Sequence, residues 1–110
     1  MLLSSLQANQ LQEINQRRMS DILESKGLVV EKIDGALPEN KELRDTLFGV
    51  SGKRGQYPQC FILSDGTYRF VGLWEEFESL NECEELPQEV LDANPSIQTI
   101  TSVFKGCERK

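Results

Sequence analysis

Histidine is missing altogether from this 110-residue chain. That removes any Ser-His or Cys-His pair able to activate a nucleophile, and leaves a zinc site without imidazole. Cysteine is scarce and oddly counted: Cys60, Cys83 and Cys107 are widely spaced, with no CxxC. Reduced thiols are expected, rather than a disulfide framework or a metal centre. No apolar run approaches the ~20 residues of a membrane span, and Met1-Leu2-Leu3 is too short for a signal peptide. A cytoplasmic protein is expected, with cytoskeletal association left open.

Basic residues are absent from one whole region. Residues 1–69 hold nine acids and nine bases, residues 70–104 hold eight acids and no base, and the last six residues return +2. A net charge of -6 so distributed repels phosphate backbones and anionic lipid, which argues against nucleic acid and membranes as partners. The acidic stretch itself reads as a solvated helix face.

What remains is ordinary for one globular domain: 38% hydrophobic and 27% charged residues, enough for a single modest core. Leu2-Leu3-Ser4-Ser5 opens as a short strand, and Asn9 is placed to cap a helix. Between Gln10 and Ser25, Leu11, Ile14, Met19, Ile22 and Leu23 fall on about half of a helical wheel, with Arg18 on the same side; Gly27 stops the helix. The β-branched run Leu28–Ile33 reads as a second strand, parallel to the first through a right-handed crossover. Pro38 starts a second helix carrying Leu43, Leu47 and Phe48, and Gly49 ends it. A basic glycine loop leads to the apolar strand Cys60–Leu63. Asp65-Gly66 supplies a two-residue hairpin turn into Tyr68–Val71. Gly72 precedes a helix with Leu73, Phe77 and Leu80 on one face. In the tail, Asn94-Pro95-Ser96 resembles a cap for a short helix bearing Ile97, Ile100 and Phe104, closed by Gly106.

The order β-α-β-α-β-β-α resembles the thioredoxin-like fold in its glutaredoxin form. A four-stranded mixed sheet flanked by helices is expected, with a domain over residues 1–93 and a C-terminal extension over 94–110. In that fold the residue starting the third strand is a cis-proline, the position that Pro58 matches; a trans proline opening a strand is the plainer alternative. The stretch "SSLQANQLQEINQRRMSDILESKGLVVEKID" is similar to the N-terminal half of the SH3-domain-binding glutamic-acid-rich family, a glutaredoxin-like group. Ser4, Ser5 and Asn9 match its turn, Leu23, Glu24 and Leu28 its helix end, and Asp34 its strand end. Pro38-Glu39-Asn40, Pro58-Gln59 and "VGLWEEFESLNE" continue the likeness, which spans about residues 2–82. The chain departs from the pattern as well. Ala8 replaces a turn glycine, Leu73 replaces an aspartate, and the proline-rich segment shrinks to Tyr57-Pro58-Gln59. No PxxP occurs among the four prolines, which argues against SH3 binding.

Glutaredoxin chemistry requires a cysteine at the N-terminus of the first helix, where the helix dipole favours the thiolate. Ser5, Leu6, Gln7 and Ala8 stand there instead. Cys60 reads as a core thiol, and Cys83 lies among glutamates that disfavour its thiolate. The expected function is a non-catalytic, glutaredoxin-like interaction module with protein partners, no catalytic residue, no cofactor and no metal. Two surfaces are candidates. Lys53, Arg54, Tyr57 and Pro58 form a groove that the resemblance equips for glutathione or an extended peptide. Ile97, Ile100, Val103 and Phe104 either dock on the parent domain or meet another chain. The rival reading is a glutathione-dependent oxidoreductase or transferase using Cys60 or Cys83.

Overall fold

A computed structural model describes residues 1–6 and 10–107. In chain order the elements are β1 (Leu2–Leu3), α1 (Gln10–Ser25), β2 (Ile33–Asp34), a 3-10 turn (Pro38–Asn40), α2 (Lys41–Ser51), β3 (Cys60–Ser64), β4 (Thr67–Gly72), α3 (Trp74–Glu84), α4 (Gln88–Ala93) and α5 (Ile100–Val103). The chain is thus of the α/β class. The Asn9 cap and the Ala8 turn position lie outside the described residues. Among the described residues, no helix is long and apolar enough to cross a membrane.

Glycine punctuation sets the helix ends. Gly27 adopts a φ of +74°, a conformation that costs an L-residue about 1–2 kcal/mol and glycine nothing. Its N–H reaches the Glu24 carbonyl at 2.9 Å, and the Leu28 N–H returns to Leu23 at 3.3 Å. These two bonds form a Schellman motif, with Leu28 packed in the same core as Leu23. Helix α2 runs past Gly49 to Ser51, because its left-handed C-cap is Gly52, whose N–H bonds Phe48. The Asp65-Gly66 turn forms as expected: both residues have positive φ, at 51° and 76°, and they close the Ser64–Thr67 pair of the hairpin.

The strands form two ladders. Leu2 and Leu3 of β1 pair in parallel with Ile33 and Asp34 of β2, while β3 and β4 pair antiparallel with an irregularity between Cys60 and Phe61. Among the described residues, a single antiparallel bridge, Leu2 to Gln59, joins them. The second strand is therefore far shorter than Leu28–Ile33. Its partner β1 offers only two residues, so the extended segment Val29–Lys32 has no strand beside it among the described residues.

Side-chain alternation along these strands divides the core in two. On one face Cys60 and Ile62 meet Met19 and Leu23 of α1, Phe77 of α3, and Ile100 and Phe104 of the tail. On the other, Leu2 and Ile33 meet Leu47 and Phe48 of α2, flanked by Phe61 and Tyr68. Helix α4, which has no expected counterpart in the sequence reading, carries no buried residue. Helix α5 starts later than Asn94-Pro95 suggests, because its cap is Thr99: the Thr99 and Ser102 side chains each accept from the other's backbone N–H in a capping box.

Candidate functional site

Three chain segments converge at the C-terminal ends of β1 and β2. The Gly35 N–H bonds the Leu3 carbonyl at 2.8 Å, and Leu2 and Gln59 exchange both backbone hydrogen bonds at 2.9 Å. This places the turn after β1, the turn after β2 and the approach to β3 side by side. The Tyr57-Pro58 peptide bond here is cis, and Pro58 is fully buried.

The first turn is held by side-chain amide chemistry. Gln16 of α1 accepts from the Ser4 N–H at 3.0 Å and donates to the Ser4 carbonyl at 3.1 Å, so one buried amide satisfies both main-chain groups of Ser4. The Ser5 N–H donates to Asp34 Oδ1 at 3.0 Å, and the Ala36 N–H donates to the same oxygen at 2.9 Å. Desolvation alone would raise the Asp34 carboxyl, but these two amide donors, together with the Ser5 side chain, outweigh it and hold the group below its ordinary value.

Tyr57 is half-buried with its ring tilted on Phe48, centroids 6.0 Å apart. Its hydroxyl closes on Gly35: a Cβ added there would stand 2.9 Å from the Tyr57 oxygen and 3.2 Å from Arg44 Cδ. Glycine at 35 is what allows the approach. Burial raises the Tyr57 phenol above its usual value. Arg54 lies over the Phe48 ring at 5.5 Å and 3.6 Å from Asp45, while Lys53 is exposed. Gln59, fully buried, donates from Nε2 to the Lys53 and Gln56 carbonyls at 2.7 Å each, pinning the basic loop above Pro58. Its Oε1 has no partner among the described residues.

The structure therefore gathers Lys53, Arg54, Tyr57 and Pro58 at one end of the strands, although Arg54 is already occupied by Asp45. The second candidate set is placed elsewhere. Ile100 and Phe104 are buried in the chain's own core, with Val103 packed against it, and Ile97 is half-buried. Of the two alternatives open for the tail, docking on the parent domain is the one observed.

One apolar surface escaped the sequence reading. Leu6 is 77% exposed and Leu11 64%, and Ile14 is also exposed. The wheel assigned Leu11 and Ile14 to the buried face of α1; the face that buries is centred on Gln16, Met19, Ser20 and Leu23. Gln16 lies on that inward face and latches Ser4, and at 100° per residue Leu11 and Ile14 then fall on the opposite side of the helix. The tight Ser4–Leu6 turn was the signal available, since buried main-chain groups there require a polar partner from the helix. The Arg18 guanidinium lies over Trp74 at 4.7 Å in a cation-π contact.

Cys60 is 1% exposed, and burial pushes its thiol up to about 12. Cys83 and Cys107 are half-buried. Among the described residues, no group of three potential ligands could hold a metal ion. Comparisons with family models, curated proteins and solved structures found no match to this chain.

Proposed function

We propose that the chain is a non-catalytic protein-interaction module of thioredoxin-like, glutaredoxin-type architecture, similar to the SH3-domain-binding glutamic-acid-rich group. The fold reading is supported by the strand order β2-β1-β3-β4 that results when the Leu2–Gln59 bridge is counted, and by the cis bond before Pro58. The functional reading is carried by one observation: exposed Leu6, Leu11 and Ile14 follow directly on the Ser4-Ser5 turn, where a redox relative would present its thiol. Apolar side chains in that position favour contact with a partner over electron transfer.

The test compares capture of partners by the intact chain and by a Leu11→Glu, Ile14→Lys variant. Both positions are exposed, so the variant keeps its fold. Partners recovered by the intact chain and lost with the variant are expected; partners retained equally by both would reject this surface. Reduction of a glutathione mixed disulfide at the rate of an authentic glutaredoxin would reject the non-catalytic reading.

A second reading keeps the fold and makes glutathione a ligand without turnover. It is favoured by the exposed Lys53 and by the Tyr57 main chain, which makes no hydrogen bond among the described residues. Those groups suit an extended peptide that pairs by strand addition. Amide shifts at Tyr57 that saturate at millimolar glutathione are its expected signature, and a flat titration removes it.

A further inference from the structure

Strand β4 pairs on one side only. In the order β2-β1-β3-β4 it lies next to β3, and no strand runs along its other edge among the described residues. Hydrogen-bonded and non-bonded pairs alternate along an antiparallel ladder, and a two-residue turn starts the ladder on a bonded pair, here Ser64–Thr67. Ile62–Arg69 is then the next bonded pair, so the N–H and C=O groups of Tyr68 and Phe70 point away from β3. Outside the hairpin those groups make no main-chain hydrogen bond among the described residues. Such an edge is a template for a further strand.

The side chains along the edge select that strand. Arg69 shares the face of its partner Ile62, toward α3 and α5. Glu76 of α3 stands over Gly72 on that face: a Cβ added at Gly72 would lie 2.6 Å from the Glu76 Cβ. Arg69 and Glu76 border one open groove together with Val71 and Leu80, which pack on the core beneath. Both charged residues are exposed, and neither joins an ion pair among the described residues. The edge thus carries a cation toward its turn and an anion about 10 Å further along. An antiparallel copy of the same edge complements that arrangement.

We propose that β4 docks on β4 of a second copy of this chain, antiparallel across a twofold axis, so that the two sheets join into one. Two antiparallel registers pair the main-chain groups of Tyr68 and Phe70 in both copies. Centred on Arg69, the pairing sets two guanidiniums directly opposite each other, which like charge disfavours. Centred on Phe70, it sets Arg69 opposite the partner's Val71 and beside the partner's Glu76, twice by symmetry. The same register brings the two Phe70 rings together on the face toward α2. Phe70 is half-buried, its ring tilted on Phe61 at 5.4 Å, and the contact covers it further. Charge therefore fixes the register as well as the occupant. The inference uses no residue of the Leu11–Ile14 surface or of the Tyr57 groove.

The experiment is analytical sedimentation of the full chain from micromolar to millimolar concentration, in about 0.15 M salt, which screens the net charge of -6 beyond roughly 8 Å. A monomer–dimer equilibrium is expected, with amide exchange at Tyr68 and Phe70 slowing as the dimer fills. Arg69→Glu and Glu76→Arg, both at exposed positions, should each weaken the dimer about tenfold with an unchanged near-ultraviolet spectrum, and the double swap should restore it. A chain monomeric throughout overturns the proposal. So does a dimer indifferent to either single substitution, which would place assembly on another surface. A double swap that fails to restore a dimer lost in both singles overturns it too. Tyr68 and Phe70 amides protected equally at every dilution would mean that the chain covers its own edge, and would overturn the second copy as its occupant.

Discussion

Cys60 stands two residues beyond the cis bond, buried among Met19, Leu23 and Phe77. Burial is the dominant cause of its elevated pKa, about 12 against an ordinary 9.0, and it makes the folded chain resist deprotonation. The sign follows: below pH 9 the thiol is neutral in both folded and unfolded chains, and as pH rises toward 12 only the unfolded chain releases the proton. Folding stability contributed by the neutral thiol is therefore present below pH 9 and lost progressively above it. Urea unfolding of the wild type and Cys60→Ala between pH 8 and pH 11 should show a steeper alkaline loss in the wild type. Parallel slopes in the two proteins would mean that the thiol is accessible in the folded state. In the same samples Cys83 and Cys107, both half-buried, should react with a thiol reagent well before Cys60.

At the scale of the element, α5 is too short to be stable by itself, and two devices hold it. One is the Thr99–Ser102 capping box. The other is Glu84 at the end of α3, which accepts from the Thr101 N–H at 2.8 Å and from the Thr101 hydroxyl and lies 3.8 Å from Lys26. Desolvation would raise the Glu84 carboxyl, but the Thr101 donors and the Lys26 charge together bring it below the ordinary 4.5. A depressed carboxylate pKa contributes stability that is present above about pH 4.5 and lost as pH falls through the folded value. Helix α5 should therefore loosen in mild acid before the rest of the chain unfolds. The measurement is labelling of Cys107, which packs on the same core, by a reagent that stays thiol-reactive in acid, with each rate divided by that of the urea-unfolded chain at the same pH: this ratio should rise in acid in the wild type and be raised already at pH 7 in Glu84→Gln. A ratio independent of both pH and substitution would remove Glu84 as the clamp.

Across the whole molecule, what could be read from the residues was local and what could not was relational. The Asp65-Gly66 turn, the stop at Gly27 and the proline at the start of β3 depend on backbone preferences of one or two residues, and they formed where the sequence placed them. The extent of β2 did not, because a strand ends where its neighbour ends, and β1 pairs only through Leu2 and Leu3. The exposure of Leu11 and Ile14 follows from which face of α1 is buried, the one carrying Gln16, Met19, Ser20 and Leu23, and a buried glutamine on that face is not marked by apolar periodicity. Within the candidate groove, the grouping of Tyr57 with Pro58 was legible, while the capture of Arg54 by Asp45 required the fold. The tail shows the same limit most sharply: Ile100 and Phe104 read as an apolar stripe needing a partner, and the partner is the chain's own core against Met19 and Phe77. That placement makes the tail part of the folding unit. Phe104→Ala should cost about 3–5 kcal/mol, read as a lower urea midpoint with little change in slope. Deleting residues 94–110 should leave Met19, Leu23 and Phe77 uncovered and the chain aggregating or molten by near-ultraviolet dichroism. A truncated chain with native dichroism and an unchanged midpoint would return Ile100 and Phe104 to the role of a surface offered to other proteins.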